Sequence, residues 1–371
     1  MFYHIFAPLT DYEVVGYNIF HVFQYVTFRA IAAFITALLF SLLLGPSLIK
    51  LLKKYQAVEL INEYLPERHQ AKKGTPTMGG LIVLLGLVLS VILWNNLVNS
   101  YILIMLLTTI WLGSIGFLDD YLKNFRKTKS GLIAKYKLMA QVALGFFIAF
   151  ILVYGTKDKS VITAINLPFI KNTIIQLGWF FIPFAIFMIV GTSNAVNLTD
   201  GLDGLATGTI ALSAFALGIM AYIKGNFIIA GYLNMDFIPN AGELTVFTAA
   251  LIGTLLGFLW YNVRPAQIFL GDTGSLSLGG ILAVLAILLR EELFFAIVAG
   301  VFILEAMSSI LQRYYFKYTR IKTGTGKRIF RCAPIHHHFE LKGMAEEKIV
   351  VRFWIVAMLL VAVGLATLKL R

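Results

Sequence analysis

Repetition of apolar stretches long enough to cross a bilayer constrains this chain more than any other feature. A transmembrane helix needs about 17–25 apolar residues. Such windows recur near 27–52, 77–94, 98–118, 133–154, 177–197, 204–223, 243–262, 275–290, 292–316 and 349–370. The eighth is short, and Arg290-Glu291-Glu292 forms its tight boundary with the ninth. A soluble core has no use for so much apolar surface. Of 371 residues, 59% are hydrophobic and 13% charged, where soluble domains carry about 25% charge; the mean hydropathy is +0.82. The pattern predicts an all-α polytopic membrane protein of about ten transmembrane helices, one integral domain over 1–371 with no internal repeat. Residues 160–175, β-branched around Asn166 and Pro168, suit a small external β-hairpin. The Tyr- and Phe-rich stretch 12–28 suits an aromatic belt at the interface.

The formal charge of +12 would suggest nucleic acid if it lined one soluble face. Instead the basic residues fall between apolar runs, which points to the cytoplasmic leaflet and to no nucleic acid. They crowd into 50–76, 119–137 and 313–352, whereas 95–99 carries no charge and 224–242 only Lys224 and Asp236. Positive-inside logic places the crowded segments in the cytoplasm. An even number of spans then leaves both termini periplasmic. No signal peptide is expected, because Asp11 and Glu13 precede the first apolar run and no basic region does. With Cys332 the only cysteine, no intrachain disulfide can form.

Five segments on the basic side carry residues that a plain helix bundle does not require. Asp119-Asp120 closes the third span, where adjacent acids near hydrocarbon cost about 2.5–3.5 kcal/mol each at mid-membrane. A divalent metal, a lysine or a proton to be transferred would offset them; the bland alternative is a solvated helix end. Asn197-Leu198-Thr199-Asp200-Gly201-Leu202-Asp203-Gly204 joins spans five and six. Asp200 and Asp203 would share a face on a helical turn, although either could simply cap span six. Phe269-Leu270-Gly271-Asp272-Thr273-Gly274-Ser275 opens span eight, with an acid for metal and a helix start whose free N–H groups favour phosphate. His336-His337-His338-Phe339-Glu340 precedes span ten. Consecutive histidines diverge and tetrahedral zinc needs about four ligands, so phosphate is the better partner for them. Lys72, Lys73 and Gly74-Thr75-Pro76-Thr77 precede span two. Two further patterns carry no weight. Gly324-Thr325-Gly326-Lys327-Arg328 lacks the leading glycine and the Ser/Thr of a phosphate loop, and the sequon Asn197-Leu198-Thr199 lies on the cytoplasmic side.

Carboxylates, basic residues and histidines thus gather at one leaflet. Magnesium is held by one or two carboxylates plus substrate phosphates. A nucleotide diphosphate donor fits such a site, and an acceptor dissolved in the bilayer explains its location.

At these residues the chain resembles the polyprenyl-phosphate N-acetylhexosamine-1-phosphate transferase superfamily. The resemblance spans all ten helices and keeps the order of the motifs at 74–80, 119–120, 197–204, 269–275 and 334–340. The first and last motifs resemble the branch that uses UDP-MurNAc-pentapeptide, not the sister branch that uses UDP-N-acetylglucosamine. This implies transfer of phospho-MurNAc-pentapeptide from that UDP donor to undecaprenyl phosphate, with Mg2+ and release of UMP, at the cytoplasmic face of the bacterial inner membrane. The implied catalytic set is Asp119, Asp120, Asp272 and His338. Asp272 is the implied metal ligand, Asp119 the base for the lipid phosphate, and Asp120 a support for both. Asn197, Asp200 and Asp203 would line the donor pocket, with backbone from Gly201 and Leu202 near the uridine. Phe269 would stack on uracil, and Asn262 and Lys72 would hold the nucleoside. Lys123, Lys127 and Lys135 would meet phosphates or lipid headgroups, while His336 and His337 would serve the donor with His338. The resemblance alone suggests a homodimer.

A transporter is the competing class. It would carry ionisable residues in mid-membrane or broken helices in paired repeats, whereas the acids here fall at the ends of spans.

Overall fold

The computed structural model describes residues 1–6, 9, 19–55, 74–126, 128, 131–155, 159–166 and 174–369. Numbering only the helices used below, α1 is Val26–Lys54, α2 Gly80–Trp94, α3 Ser100–Asn124, α4 Ala134–Gly155, α5 Phe181–Thr199 and α6 Leu205–Lys224. After them come α7 Gly242–Asn262, α8 Gly271–Leu288, α9 Glu292–Val298, α10 Gly300–Thr323, α11 Ile335–Glu340 and α12 Glu346–Ala366. Among the described residues eight helices are long and apolar enough to cross a membrane, and the pair α9–α10 makes a ninth if it is one span. The remaining predicted span is α2, 15 residues long. The predicted hairpin is present as β1 (Ala164–Asn166) and β2 (Ile174–Gln176), antiparallel with Ile165 opposite Ile175. Of the expected aromatic belt, residues 12–18 lie outside the described residues.

Local chemistry sets the helix ends. Asn99 caps α3 by accepting the Tyr101 N–H (2.9 Å), filling one of the donors that a helix start leaves open. Lys53 and Lys54 end α1 at the negative pole of its dipole. Gly324, with φ +73°, stops α10 in the left-handed conformation that glycine adopts without strain. That is the work done by the sequence that looks like a phosphate loop.

Lipid tails supply no hydrophobic drive between helices, so small residues and interhelical hydrogen bonds must hold the bundle. The helix richest in Gly, Ser and Ala, α8, accordingly sits at the centre with 89% of its membrane window buried, against 22% for α1 at the rim. Ser193 on α5 donates to the Leu276 carbonyl of α8 (2.8 Å), and Tyr261 on α7 to the Leu42 carbonyl of α1 (2.6 Å). One end of the bundle is tied by two buried ion pairs, Arg29–Glu243 and Lys224–Glu291, each 2.6 Å. The opposite end gathers the C-termini of α3, α5 and α7 with the N-termini of α2, α4, α6, α8 and α12, and there the motif residues meet.

Three expectations change. Helix α3 runs on to Asn124, so Asp119 and Asp120 lie a turn inside it and are buried at 0% and 3% exposure, not at a solvated end. Between α5 and α6 the chain turns without helix, so Asp200 and Asp203 share no helical face, and the residue preceding α6 is Gly204. The ninth span is broken, with α9 and α10 meeting at 75° around Ala299 and Gly300.

Candidate active site

Two helices bring three aspartates together. Asp119 and Asp120 come from α3 and Asp272 from the first turn of α8, with one carboxylate oxygen of each within 4.8 Å of the others. Asp120 accepts the N–H of Asp272 (3.1 Å), the N–H of Thr273 (2.9 Å) and the Thr273 hydroxyl (2.6 Å). A helix start offers unmatched N–H groups and a positive dipole end. The anion that fills it here is the protein's own carboxylate, so those two amides are not left for a substrate phosphate.

The other two aspartates share their partners. Lys123 Nζ lies 2.6 Å from Asp119 Oδ2 and 3.1 Å from Asp272 Oδ2. Lys137 Nζ lies 2.8 Å from both Asp119 Oδ1 and Asp272 Oδ2. The Leu132 N–H donates to Asp119 Oδ1 (2.7 Å). Asn197 donates to Asp272 Oδ1 and to the Ser275 hydroxyl, both at 2.8 Å. Each lysine therefore bridges the same two carboxylates, and three acids against two lysines leave one formal negative charge.

This donor set fits a hard divalent cation, which takes oxygen ligands and, if magnesium, keeps room for substrate phosphates. Asp119 and Asp272 are the carboxylates that could turn an oxygen to it, in exchange for a lysine contact, because both oxygens of Asp120 are committed to the start of α8.

Backbone pairing carries the 74–80 motif to the same place. The Phe269 N–H donates to the Pro76 carbonyl (2.9 Å), and Gly79 and Gly80 donate to the carbonyls of Phe269 and Leu270 (both 2.8 Å). A Cβ on Gly80 would run into the backbone of Gly274. Only glycine lets α2 approach α8 this closely. Phe269 itself is half-buried.

The 200–204 turn forms the adjoining wall. Asp203 Oδ2 accepts the Ala266 N–H (3.2 Å), and its own N–H donates to Glu346 Oε1 (3.0 Å). Glu346 is in turn paired with Arg264. Leu202 turns its side chain into a small apolar core with Val301, Ile349 and Phe353. Asn262 accepts from the Thr207 hydroxyl (2.7 Å) and donates to the Ile268 carbonyl (3.0 Å), which fixes the loop leading to Phe269.

The histidines diverge to three partners. His336 is fully buried with Nδ1 2.9 Å from Glu305 Oε2, and His337 Nδ1 meets Glu340 Oε2 at 2.9 Å. His338 Nδ1 accepts the Arg331 N–H (3.0 Å). Desolvation first, then Lys342 and Arg331, holds the His338 imidazole below its ordinary pKa.

The model of glycosyl transferase family 4 matches residues 102–290, which run from α3 through the Asp272 motif. The chain belongs to that family. The phospho-N-acetylmuramoyl-pentapeptide-transferase of Chloroherpeton thalassium is 48% identical over 350 residues, covering 94% of this chain and 95% of its own. Those of Thermodesulfovibrio yellowstonii and Chlorobium chlorochromatii are 47% and 48% identical over the full length of both chains.

Within this family 4 chain, the structure joins Asp119, Asp120, Lys123, Asn197 and Asp272 in one cluster. Lys72 and Lys127 lie outside the described residues, and Lys135 is exposed at the head of α4. The second bridging lysine is Lys137, which lies in the basic segment 119–137 and in none of the motifs. Gln141, Leu144, Gly145 and Ile148 form the inward face of α4, and Lys137 lies one turn before Gln141 on that face, but the helix is apolar all round, so the sequence alone does not mark it. Glu305 and Glu346 were missed altogether.

Proposed function

We propose that the protein transfers phospho-MurNAc-pentapeptide from UDP-MurNAc-pentapeptide to undecaprenyl phosphate, giving undecaprenyl-diphospho-MurNAc-pentapeptide (lipid I) and UMP for peptidoglycan synthesis. The reaction takes place at the cytoplasmic face of the bacterial inner membrane. The observation that carries this reading is the convergence of the motif aspartates, two lysines and Asn197 at the basic end of a membrane bundle. Full-length relatives named for this transfer support the choice of donor.

Direct attack is the economical route, because the acceptor is already a phosphate. Asp119, buried beside two ammonium groups, takes the proton from the lipid phosphate, a role worth about 10²–10⁴-fold in rate. An oxygen of that phosphate then bonds to the phosphorus attached to the sugar, and the bond from that phosphorus to the UMP oxygen breaks. Asp272, with an oxygen of Asp119, would hold Mg2+, which would neutralise the charge of the diphosphate. Lys123 and Lys137 orient the two carboxylates, while Asn197 fixes the other oxygen of Asp272. Asp120 holds the first turn of α8, and with it Asp272, in register. Phe269 stacks on the uracil, Asn262 and Lys72 hold the nucleoside, and the 200–204 turn and the histidines serve the rest of the donor.

The test is release of UMP by purified protein supplied with undecaprenyl phosphate, Mg2+ and either donor. Release with UDP-MurNAc-pentapeptide is expected, and a chelator should stop it. Turnover with UDP-N-acetylglucosamine alone would move the protein to the sister branch.

A further inference from the structure

One buried acid takes no part in the mechanism above. Glu305 lies on α10, five residues after the 75° break, with its side chain wholly inside the bundle. Ionisable groups in a membrane span are expensive and persist where they have a partner and a task. The partner of Glu305 is His336, from α11 and 31 positions further along the chain, at 2.9 Å between Oε2 and Nδ1. Both side chains are at most 1% exposed.

The pairing leaves an unfilled valence on the other side of the ring. His336 Nε2 is buried and has no hydrogen-bond partner. It faces Gly201 in the turn of the donor wall, where a Cβ would collide with it. A carboxylate only accepts hydrogen bonds, so the Glu305 contact requires the proton on Nδ1 and leaves Nε2 as the position that can meet a ligand. The ring is thus aimed, as well as anchored, by a residue from a different helix.

We propose that Glu305 is a positioning residue for donor binding. It fixes the tautomer and direction of His336 so that Nε2 contacts the sugar-nucleotide donor beside Gly201. The proposal rests on the functional reading above for the identity of that donor. Partners that orient a metal-ligating histidine typically matter by about 10–100-fold, and by analogy that is the size expected here.

The experiment measures binding of UDP-MurNAc-pentapeptide to the purified full-length protein without acceptor, in a double-mutant cycle. Glu305→Met should raise the donor Kd about 10–100-fold while kcat at saturating donor stays within about threefold. Glu305→Gln, whose amide oxygen can still accept from Nδ1–H, should stay within about threefold of wild type in Kd. The double variant Glu305→Met/His336→Ala should bind no more weakly than His336→Ala alone, because Glu305 acts through the ring. A folded Glu305→Met protein with wild-type affinity, or effects that multiply in the double variant, would overturn the proposal. ¹⁵N spectra of the histidine-labelled wild-type protein, with the His336 signal assigned by its loss in His336→Ala, give a reading independent of the Glu305 variants. They should show the His336 proton on Nδ1, and a ring protonated only on Nε2 sinks the idea. Failure of the wild type to bind this donor refutes the functional reading instead, and the cycle is then run with UDP-N-acetylglucosamine.

Discussion

Two neighbouring aspartates should respond differently to the same chemical change. Asp120→Asn keeps the shape but offers one acceptor oxygen where the carboxylate offers two. In its best orientation the amide oxygen keeps the Thr273 N–H and hydroxyl, and its NH₂ group then faces the Asp272 N–H that Asp120 Oδ1 now receives at 3.1 Å. One charge-assisted hydrogen bond is lost, worth about 1.5–3 kcal/mol. The interaction of the negative charge with the start of α8 goes too, worth about 0.3–1 kcal/mol. Against this gross loss of about 2–4 kcal/mol stands the relief of repulsion between the buried Asp120 and Asp272 carboxylates, so the melting temperature in detergent should fall by a few degrees. Asp119→Asn removes a charge whose partners are two lysines that stay paired with Asp272 and partly exposed; the Leu132 N–H can still donate to the amide oxygen. That variant should melt close to wild type while UMP release falls about 10²–10⁴-fold. Thermal melting and UMP release on the same preparations decide the matter. An Asp120→Asn protein that melts like wild type, or an Asp119→Asn protein that melts lower still, would refute this division of labour.

Asp272→Asn should abolish activity at every magnesium concentration while the protein inserts and extracts normally; turnover restored by extra Mg2+ would pass the ligand role to Asp119. Phe269→Ala should weaken donor binding by about 1–3 kcal/mol, by analogy with base stacking on aromatic side chains, and an unchanged donor KM removes Phe269 from the pocket. A cysteine at Ala345, in a protein whose Cys332 has been replaced by Ser, should resist labelling from outside intact cells. Ready labelling there would reverse the orientation drawn from the Lys and Arg distribution.

Hydropathy was enough to find the bundle, since every one of the ten apolar windows is helical. It could not show which helix sits at the centre. The burial of α8 comes from its glycines and serines meeting α2, α3 and α5, and average apolarity does not record such contacts. The aspartates were legible because acids are conspicuous beside hydrocarbon. Their partners were less so. Lys137 is one of several lysines in a basic segment, and Asp120 caps a helix that starts about 150 residues downstream, a contact with no local signature. Glu305 was passed over inside an apolar run, because the histidine that makes it tolerable lies in a later loop. The break at Ala299-Gly300 leaves the hydropathy of its window unchanged, so a single straight span was the natural expectation.

The lysines at the site bear on how such a protein is made. Many metal centres are unfinished until the ion arrives, and their folding waits on metal supply. Here Lys123 and Lys137 bring the three aspartates to within one charge of balance, and Asp120 is spent on the helix start. The site is therefore an ordinary part of the bundle from the moment the helices pack. On the magnesium-dependent reaction proposed above, a cell short of that ion would still assemble and store the protein in its membrane, idle but intact, and restoring the ion would restart it without new synthesis.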